Sequence, residues 1–425
     1  MATGHGGPGR EPSVNRLAGA LFAACLAPRI AALVLFPQPP PNFYWRIADS
    51  LLATGTFALD GAPTGGYEPL YPLFLVAARW ATGDRFALVM LIQAMVAASA
   101  GVLLFLLADR LAGRRAAIVT SACYAVYPYY VRQSVAPLEV TLSTVLLIGA
   151  AWQYSRMQGA GGAVRLGLWL GLLVLLRAMF APIWAAAALI LVVRREWRQA
   201  VAVALVPLAM LSPWAAWSFA LERPLVPSRV GENLFVSTCD PADQVVPRYD
   251  VDLIVHYAYA AVDADRLAAE LPEGQGEGAV DAALRRAAVA CAYARPIKTI
   301  GMKLRNLAYV FSPELMPVHA RNPGPLAIVE NGRVTFVGAE GRGLAERGPH
   351  FVAHLAITIG AAAGLWIRRR RLKDDVLVLV MLANTAVVYS VFFPTTRLVA
   401  PTSFVLMFYA GACFRATTAA APRQR

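Results

Sequence analysis

The chain has 425 residues, of which 58% are hydrophobic and only 15% charged, with a formal net charge of +13. A soluble domain carries roughly a quarter charged residues, so this composition excludes an ordinary soluble protein and reads as an all-α polytopic membrane protein. Nucleic acid is not the partner the basic excess implies, because Lys and Arg lie between apolar runs, where membrane topology accounts for them.

In chain order, a tail (1–15) precedes about ten expected transmembrane helices. They lie near 16–36, 86–109, 115–130, 135–154, 164–177, 179–193, 199–219, 349–367, 375–392 and 398–414. Several approach the roughly 20 apolar residues that a spanning helix needs. The first has no cleavage pattern after it and reads as a retained span. The expected organisation is an N-terminal transmembrane module (16–219) with a first outer loop (37–85). A more polar domain (220–348), C-terminal transmembrane helices (349–414) and a second tail (415–425) follow.

Alternate connections differ in charge. One set holds 18 Lys and Arg residues, from Arg10 and Arg16 through Arg368 to Arg371 and Lys373 to Arg415, Arg423 and Arg425. The short connections of the other set hold six: Arg46, Arg79, Arg85, Arg132, Arg177 and Arg397. The positive-inside rule then predicts both termini in the cytoplasm and the first loop and the 220–348 segment outside. The isolated charges Glu139, Arg177 and Arg397 fall at span ends on that same outer side, where ionisable groups near a bilayer are costly and usually functional.

The first outer loop predicts two short helices. "FYWRIADSLLAT" (43–54) has headgroup-level aromatics and helical spacing of Ile47, Leu51 and Leu52, with Gly55 as its stop. "PLYPLFLVAARW" (69–80) has Pro69 near its first turn. These helices read either as membrane-hugging connectors or as part of a site. Glu68, between Tyr67 and Pro69, favours a site, because a carboxylate beside an apolar helix is costly unless it binds something. Glu139 is a second such carboxylate, with Arg132 and Arg177 as candidate partners. Two carboxylates and several arginines on one face suit a phosphate-bearing substrate, since guanidinium recognises phosphate with paired hydrogen bonds. A carboxylate there could hold a divalent metal ion, orient a sugar hydroxyl or act as a base.

Cys239 and Cys291 share the 220–348 segment and could pair there, while Cys25, Cys123 and Cys413 fall in apolar runs. Residues 264–310 read as helical at both ends with a Gly-rich break near 273–278. His350 and His354 are spaced i, i+4 but are too few to define a metal centre. Walker, Rossmann and Gly-x-Ser-x-Gly motifs are absent from the sequence.

The order of these features resembles the GT-C fold glycosyltransferases, which include protein O-mannosyltransferases and lipid A aminoarabinose transferases. The likeness spans most of the chain and is carried by six pieces in order. These are "YWRIADSLLATGTF", "YEPLYPLFLVAARWATGD", "YPYYVRQSVAPLEVTLSTVLL", "GLWLGLLVLLRAMFAP", "LSPWAAWSFALERPLVPSRVGENLF" and "FFPTTRLVAP". Two departures stand out. The family usually places an acid before the Tyr of the first loop helix, where this chain has Asn42. Trp217 and Ser218 replace the Arg-Asn that often follows its Pro-Trp pair.

The resemblance implies transfer of a sugar from a polyprenyl-phosphate donor to a glycan, lipid or protein acceptor, at the outer face of a bacterial cytoplasmic membrane. It implies Glu68 as base or acceptor-orienting group, with a divalent metal as a further role for it, and Asp49 as a reserve base. Arg177 and Arg397, then Arg46 and Arg132, are the expected phosphate contacts. Asn42, Tyr44, Tyr71 and Glu139 are further expected substrate contacts. A lipid-linked-sugar transporter and a catalytically silent scaffold are the alternative readings.

Overall fold

The computed structural model describes residues 11–36, 42–220, 229–270, 276–319, 326–330, 333–338 and 340–414. The two expected tails and part of the Gly-rich break lie wholly or mostly outside the described residues.

The long apolar helices are α1 (Glu11–Leu35), α4 (Phe86–Ala112), α8 (Gly159–Leu176), α10 (Trp197–Ala220) and α17 (Leu344–Arg368), and within or across them lie five stretches long and apolar enough to cross a membrane. Helices α9 (Ala181–Val193) and α18 (Val376–Val391) are shorter and apolar. Large apolar side chains point away from the protein along this bundle: Leu35, Val193 and Phe219 are each 75% exposed. Such an outer surface is at home in hydrocarbon and costly in water.

The remaining expected spans are helical but short. The 115–130 segment splits into α5 (Arg114–Val126) and α6 (Pro128–Gln133), because Pro128 pushes Tyr127 out of the helical region. The 135–154 segment becomes α7 (Val140–Ser155), starting only after Pro137. Its side chains are buried almost all round, so α7 is encased by its neighbours. At the end of the chain, α19 (Thr396–Val399) and a 3-10 turn at Pro401 precede α20 (Ser403–Ala412). Helices α4, α5 and α7 pack together, α1 lies on α4, α8 on α10, and α17 on α20. Gly364 permits the last contact, since a Cβ there would collide with the carbonyl of Tyr409.

The first loop contains α2 (Phe43–Thr54) and α3 (Leu70–Thr82), joined by a two-stranded hairpin of β1 (Ala58–Leu59) and β2 (Ala62–Pro63). Gly55 ends α2 in the left-handed conformation at φ 70°, as its sequence position predicts. Helix α2 turns Tyr44, Trp45, Ile47 and Ala48 inward, whereas Leu52 is exposed. Phe57 lies edge-on to Trp214 and Trp217 of α10, which ties the hairpin to the bundle.

Between α10 and α17 the chain forms α11 (Val230–Val236), α12 (Ala242–Val245), α13 (Val255–Ala261), α14 (Ala264–Ala269), α15 (Gly276–Ala294) and α16 (Pro296–Val310). An antiparallel hairpin of β3 (Leu326–Glu330) and β4 (Arg333–Val337) completes it. This segment has its own core around Phe235, Val245, Ile254, Ala258 and Leu284. Cys239 and Cys291 are joined by a disulfide that links the end of α11 to α15.

Candidate active site

A cavity of about 1260 Å³ lies where the first loop, the α11–α16 segment and the bundle meet. One part of its lining starts with a break in a helix. Arg177 is extended (φ −155°, ψ 117°) between α8 and a 3-10 turn, Ala178–Phe180. Leaving the helix frees its guanidinium to reach Glu139 Oε1 at 2.8 Å. The break also frees the Ala178 N–H, which donates to Glu68 Oε1 at 3.0 Å.

Arg397, on α19, reaches the same carboxylate and donates to both Glu139 oxygens, at 3.1 and 3.0 Å. Glu139 is only 1% exposed, while Arg177 and Arg397 face the cavity. One carboxylate therefore holds two guanidinium groups, and positive charge is left towards the cavity. The arrangement repeats nearby: Arg132 and Arg342 share Oε1 of Glu346, at 2.6 and 2.8 Å.

Acidic and aromatic side chains line the cavity beside these arginines. Glu68, Asp250, Asp252, Asn233 and Arg229 are among them, with Tyr67 and Phe43, whose rings stack at 4.7 Å. Arg229 is held by Glu232 at 2.8 Å, and its guanidinium donates to Tyr67 OH at 3.3 Å. Burial pushes the Glu68 carboxyl above its ordinary range, opposed by Arg177 and the Ala178 N–H. Apolar side chains complete the cavity, among them Phe36, Val126, Pro349, Met179, Pro182 and Val388.

Tyr44, Glu68, Arg132, Arg177 and Arg397 line the cavity, and Glu139 lies directly behind the two arginines. Asn42 and Tyr71 occupy supporting positions instead. The Asn42 side chain caps α2 by accepting from Trp45 N at 3.2 Å, and its amide donates to Pro137 O at 2.6 Å. Tyr71 donates to Gln93 at 2.7 Å, and Gln93 donates to the carbonyls of Gln133, Ser134 and Ala136. Together they shape the 133–138 loop that presents Glu139.

Asp49 does not reach the cavity: it pairs with Arg79 at 2.7 Å, which also binds Asp84. Arg46 is likewise outside, paired with Asp60 at 2.9 Å. Arg229, Arg342, Glu346, His350 and Tyr389 line the cavity without having been singled out as contacts. Their sequence positions are remote from the first loop, and only the fold brings them to it. Gln93 was also missed, although a lone amide in the apolar run "ALVMLIQAMVAAS" was a readable sign.

A divalent metal was one of the roles open to Glu68, and its surroundings offer few further donors. Both Glu139 oxygens are taken by arginines, and Glu68 has Arg177 and a backbone N–H for neighbours. Among the described residues no group of three or more His, Cys, Asp or Glu could hold a metal ion.

Neither a protein-family profile nor a curated protein matches the chain. Solved structures do. The archaeal oligosaccharyltransferase AglB of Archaeoglobus fulgidus, in complex with an inhibitory peptide and a dolichol-phosphate, superposes with a TM-score of 0.53. The match covers 94% of this chain and 50% of that one at 15% identity. The chain has a GT-C fold. The apo form of the archaeal enzyme gives a TM-score of 0.50 at 15% identity, over 92% of this chain and 50% of that one. ArnT from Cupriavidus metallidurans bound to undecaprenyl phosphate covers 94% of this chain and 78% of its own, at 13% identity and a TM-score of 0.43. The chain spans about half the length of the oligosaccharyltransferase. At these identities the likeness establishes the fold, and the chemistry rests on this chain's own residues.

Proposed function

We propose that the protein is a GT-C glycosyltransferase that moves a sugar from a polyprenyl-phosphate donor to an acceptor hydroxyl on the outer face of the membrane. The observation that carries this reading is the Arg177–Glu139–Arg397 arrangement, two cavity-facing guanidinium groups held by one buried carboxylate. A lipid phosphate bound there would be bridged by fixed donors that need no reorganisation as negative charge develops on the departing phosphate. The apolar lining suits a prenyl chain, and the acidic and aromatic side chains suit sugar hydroxyls and ring faces. The solved archaeal oligosaccharyltransferase with the same fold, titled as a complex with a dolichol-phosphate, supports the donor class.

In this reading Glu68 takes the proton of the acceptor hydroxyl. The oxygen attacks the sugar C1 as the bond from C1 to the phosphate oxygen breaks, inverting that carbon, and the lipid phosphate leaves between Arg177 and Arg397. Burial raises the basicity of Glu68 and so improves it as a base. The Cys239–Cys291 disulfide supports an outer position for its segment, since disulfides persist in oxidising compartments.

The test uses purified protein and a labelled polyprenyl-phosphate sugar. Transfer that disappears in Glu68→Ala and Arg177→Ala supports the reading, and full transfer in both variants overturns the site. Movement of intact lipid-linked sugar across vesicles without transfer would instead identify a transporter. A folded protein that does neither would be a scaffold.

A further inference from the structure

Helix α16 carries an apolar stripe that the protein leaves uncovered. Ile297, Ile300, Leu304 and Leu307 are 85%, 59%, 63% and 37% exposed, and Phe311, one residue past the helix, is 38% exposed. The spacing of three, four, three and four residues puts all five on one face. Met302, Asn306 and Val310 fall on the opposite face and are buried. The division is that of an amphipathic helix between a protein and an apolar medium.

What lies beyond the stripe follows from what lies behind it. The buried face of α16 packs along α18, one of the apolar helices of the bundle. Asn306 donates to Phe392 O at 3.0 Å, and Val310 clusters with Tyr389 and Val399. Beside this contact α18 exposes Val387 (61%) and Val391 (41%), so the uncovered surface continues from a bundle helix onto α16. The last turn of α15 carries Tyr293, 83% exposed, an aromatic of the kind found at membrane interfaces. Arg295 and Lys298, at the N-terminal end, are paired with Asp240, and Lys298 also with Asp243, so charged groups stand at the end of the stripe and none lies within it.

We infer that α16 is embedded in the bilayer surface with Ile297, Ile300, Leu304, Leu307 and Phe311 among the lipid acyl chains. The segment between α10 and α17 is then anchored to lipid at one edge as well as to the bundle. Residues just after α16 make this matter for the cavity. Leu315, Met316 and Pro317 line it, and Met316 exchanges hydrogen bonds with Thr396, next to Arg397. An α16 fixed at the membrane surface sets the height of that wall against the plane in which a lipid-borne substrate travels. The inference goes beyond the transferase reading and does not depend on any transfer being observed.

The experiment uses the full chain in nanodiscs of phosphatidylcholine and phosphatidylglycerol, with Cys25, Cys123 and Cys413 replaced by Ala and the disulfide retained. Nitroxide labels are placed singly at Ile297→Cys, Ile300→Cys, Leu304→Cys and Leu307→Cys, with Glu270→Cys as the aqueous reference. Collisions with oxygen should exceed those with a water-soluble nickel chelate at all four stripe positions and fall below them at position 270. Nickel-dominated collisions along the stripe overturn the inference, as does shielding from both, which would mean a protein covers it. A second measurement leaves the chain unaltered: photoactivatable phospholipid should form adducts on the peptide spanning 296–311. Adducts on α10 but none on that peptide also overturn it.

Discussion

Glu139 shows how one residue organises the site through its neighbours. Its carboxylate is 1% exposed, and the guanidinium groups it holds are 22% and 32% exposed at the side chain. Replacing it by Leu leaves both arginines without their anion. Breaking a buried pair costs about 3–5 kcal/mol, and the water still reaching Arg177 and Arg397 puts this case near the low end. Thermal unfolding in detergent should show that loss for Glu139→Leu, with transfer lost as well. Unchanged melting would mean that the arginines are held by other contacts. Glu68 gives a prediction in pH. With burial raising its pKa above the ordinary 4.5, a base at this position loses its proton-accepting form at a higher pH than an exposed carboxylate would. The acidic limb of the transfer rate should therefore lie above the usual carboxylate range, and Glu68→Gln should lower the rate by about 10²–10⁴. The sign for stability is opposite. The native state keeps this proton where the unfolded chain has lost it, so its contribution favours folding at low pH and is lost as pH rises through the folded pKa. A rate profile whose acidic limb sits at or below 4.5 would remove Glu68 from the role of base. Glu68, Glu139, Arg177 and Arg397 were legible in the sequence because each is a charge among apolar residues. Arg46 and Asp49 gave the same sign, but partners at Asp60 and Arg79 account for them, and those pairings depend on loop geometry.

At the scale of elements, local chemistry predicted the first loop closely. A run of helical spacing and a glycine stop bound α2 at the expected residues, 43–54, while the Asn42 cap that starts it was not anticipated. Bundle boundaries were less readable, because uniform apolarity does not reveal where a helix bends. The turn at Tyr127, the late start of α7 and the extended Arg177 became visible only in the structure, and two of the three shape the cavity wall. The stripe on α16 was equally hidden, since a helical pattern reports that one face is apolar and leaves its neighbour unnamed. The disulfide was open from the sequence, where two cysteines in one polar segment could pair or stay free. It closes a span of 52 residues, for which the chain-entropy account gives about 4 kcal/mol. Cys239→Ala should therefore lower the unfolding temperature of the α11–α16 segment, and reductant should reproduce the shift in the unmodified chain. A melting curve indifferent to both would mean that the core around Leu284 and Ala258 is sufficient without it.

For the whole molecule, charge asymmetry and three-dimensional arrangement agree on a sided protein. The basic turns gather at one end of the bundle: Arg194 reaches Lys373 O at 3.3 Å, Arg110 reaches Ser155 O at 2.7 Å, and Arg368 reaches Leu111 O at 2.9 Å. The cavity lies at the other end. His350 lines it near the start of α17, while Arg368 ends the same helix about 27 Å further on at 1.5 Å per residue. Buried pairing of Arg368 with Asp375, at 2.6 and 2.8 Å, fixes the basic end between α17 and α18. If the basic end is cytoplasmic, the arginine pair, Glu68 and the disulfide all face outwards, and donor, acceptor and oxidising environment meet on one side. Orientation is thus the assumption that joins the site to its chemistry, and it can be tested without any substrate. On a background without free cysteines, Glu270→Cys should react with a membrane-impermeant maleimide on intact cells. Arg370→Cys, in the turn beyond α17, should react only after permeabilisation. The reverse pattern would put the cavity in the cytoplasm, where a lipid-linked donor and a stable disulfide are no longer accounted for together. Labelling of both sites on intact cells would break the single-sided arrangement on which the bundle's charge asymmetry depends.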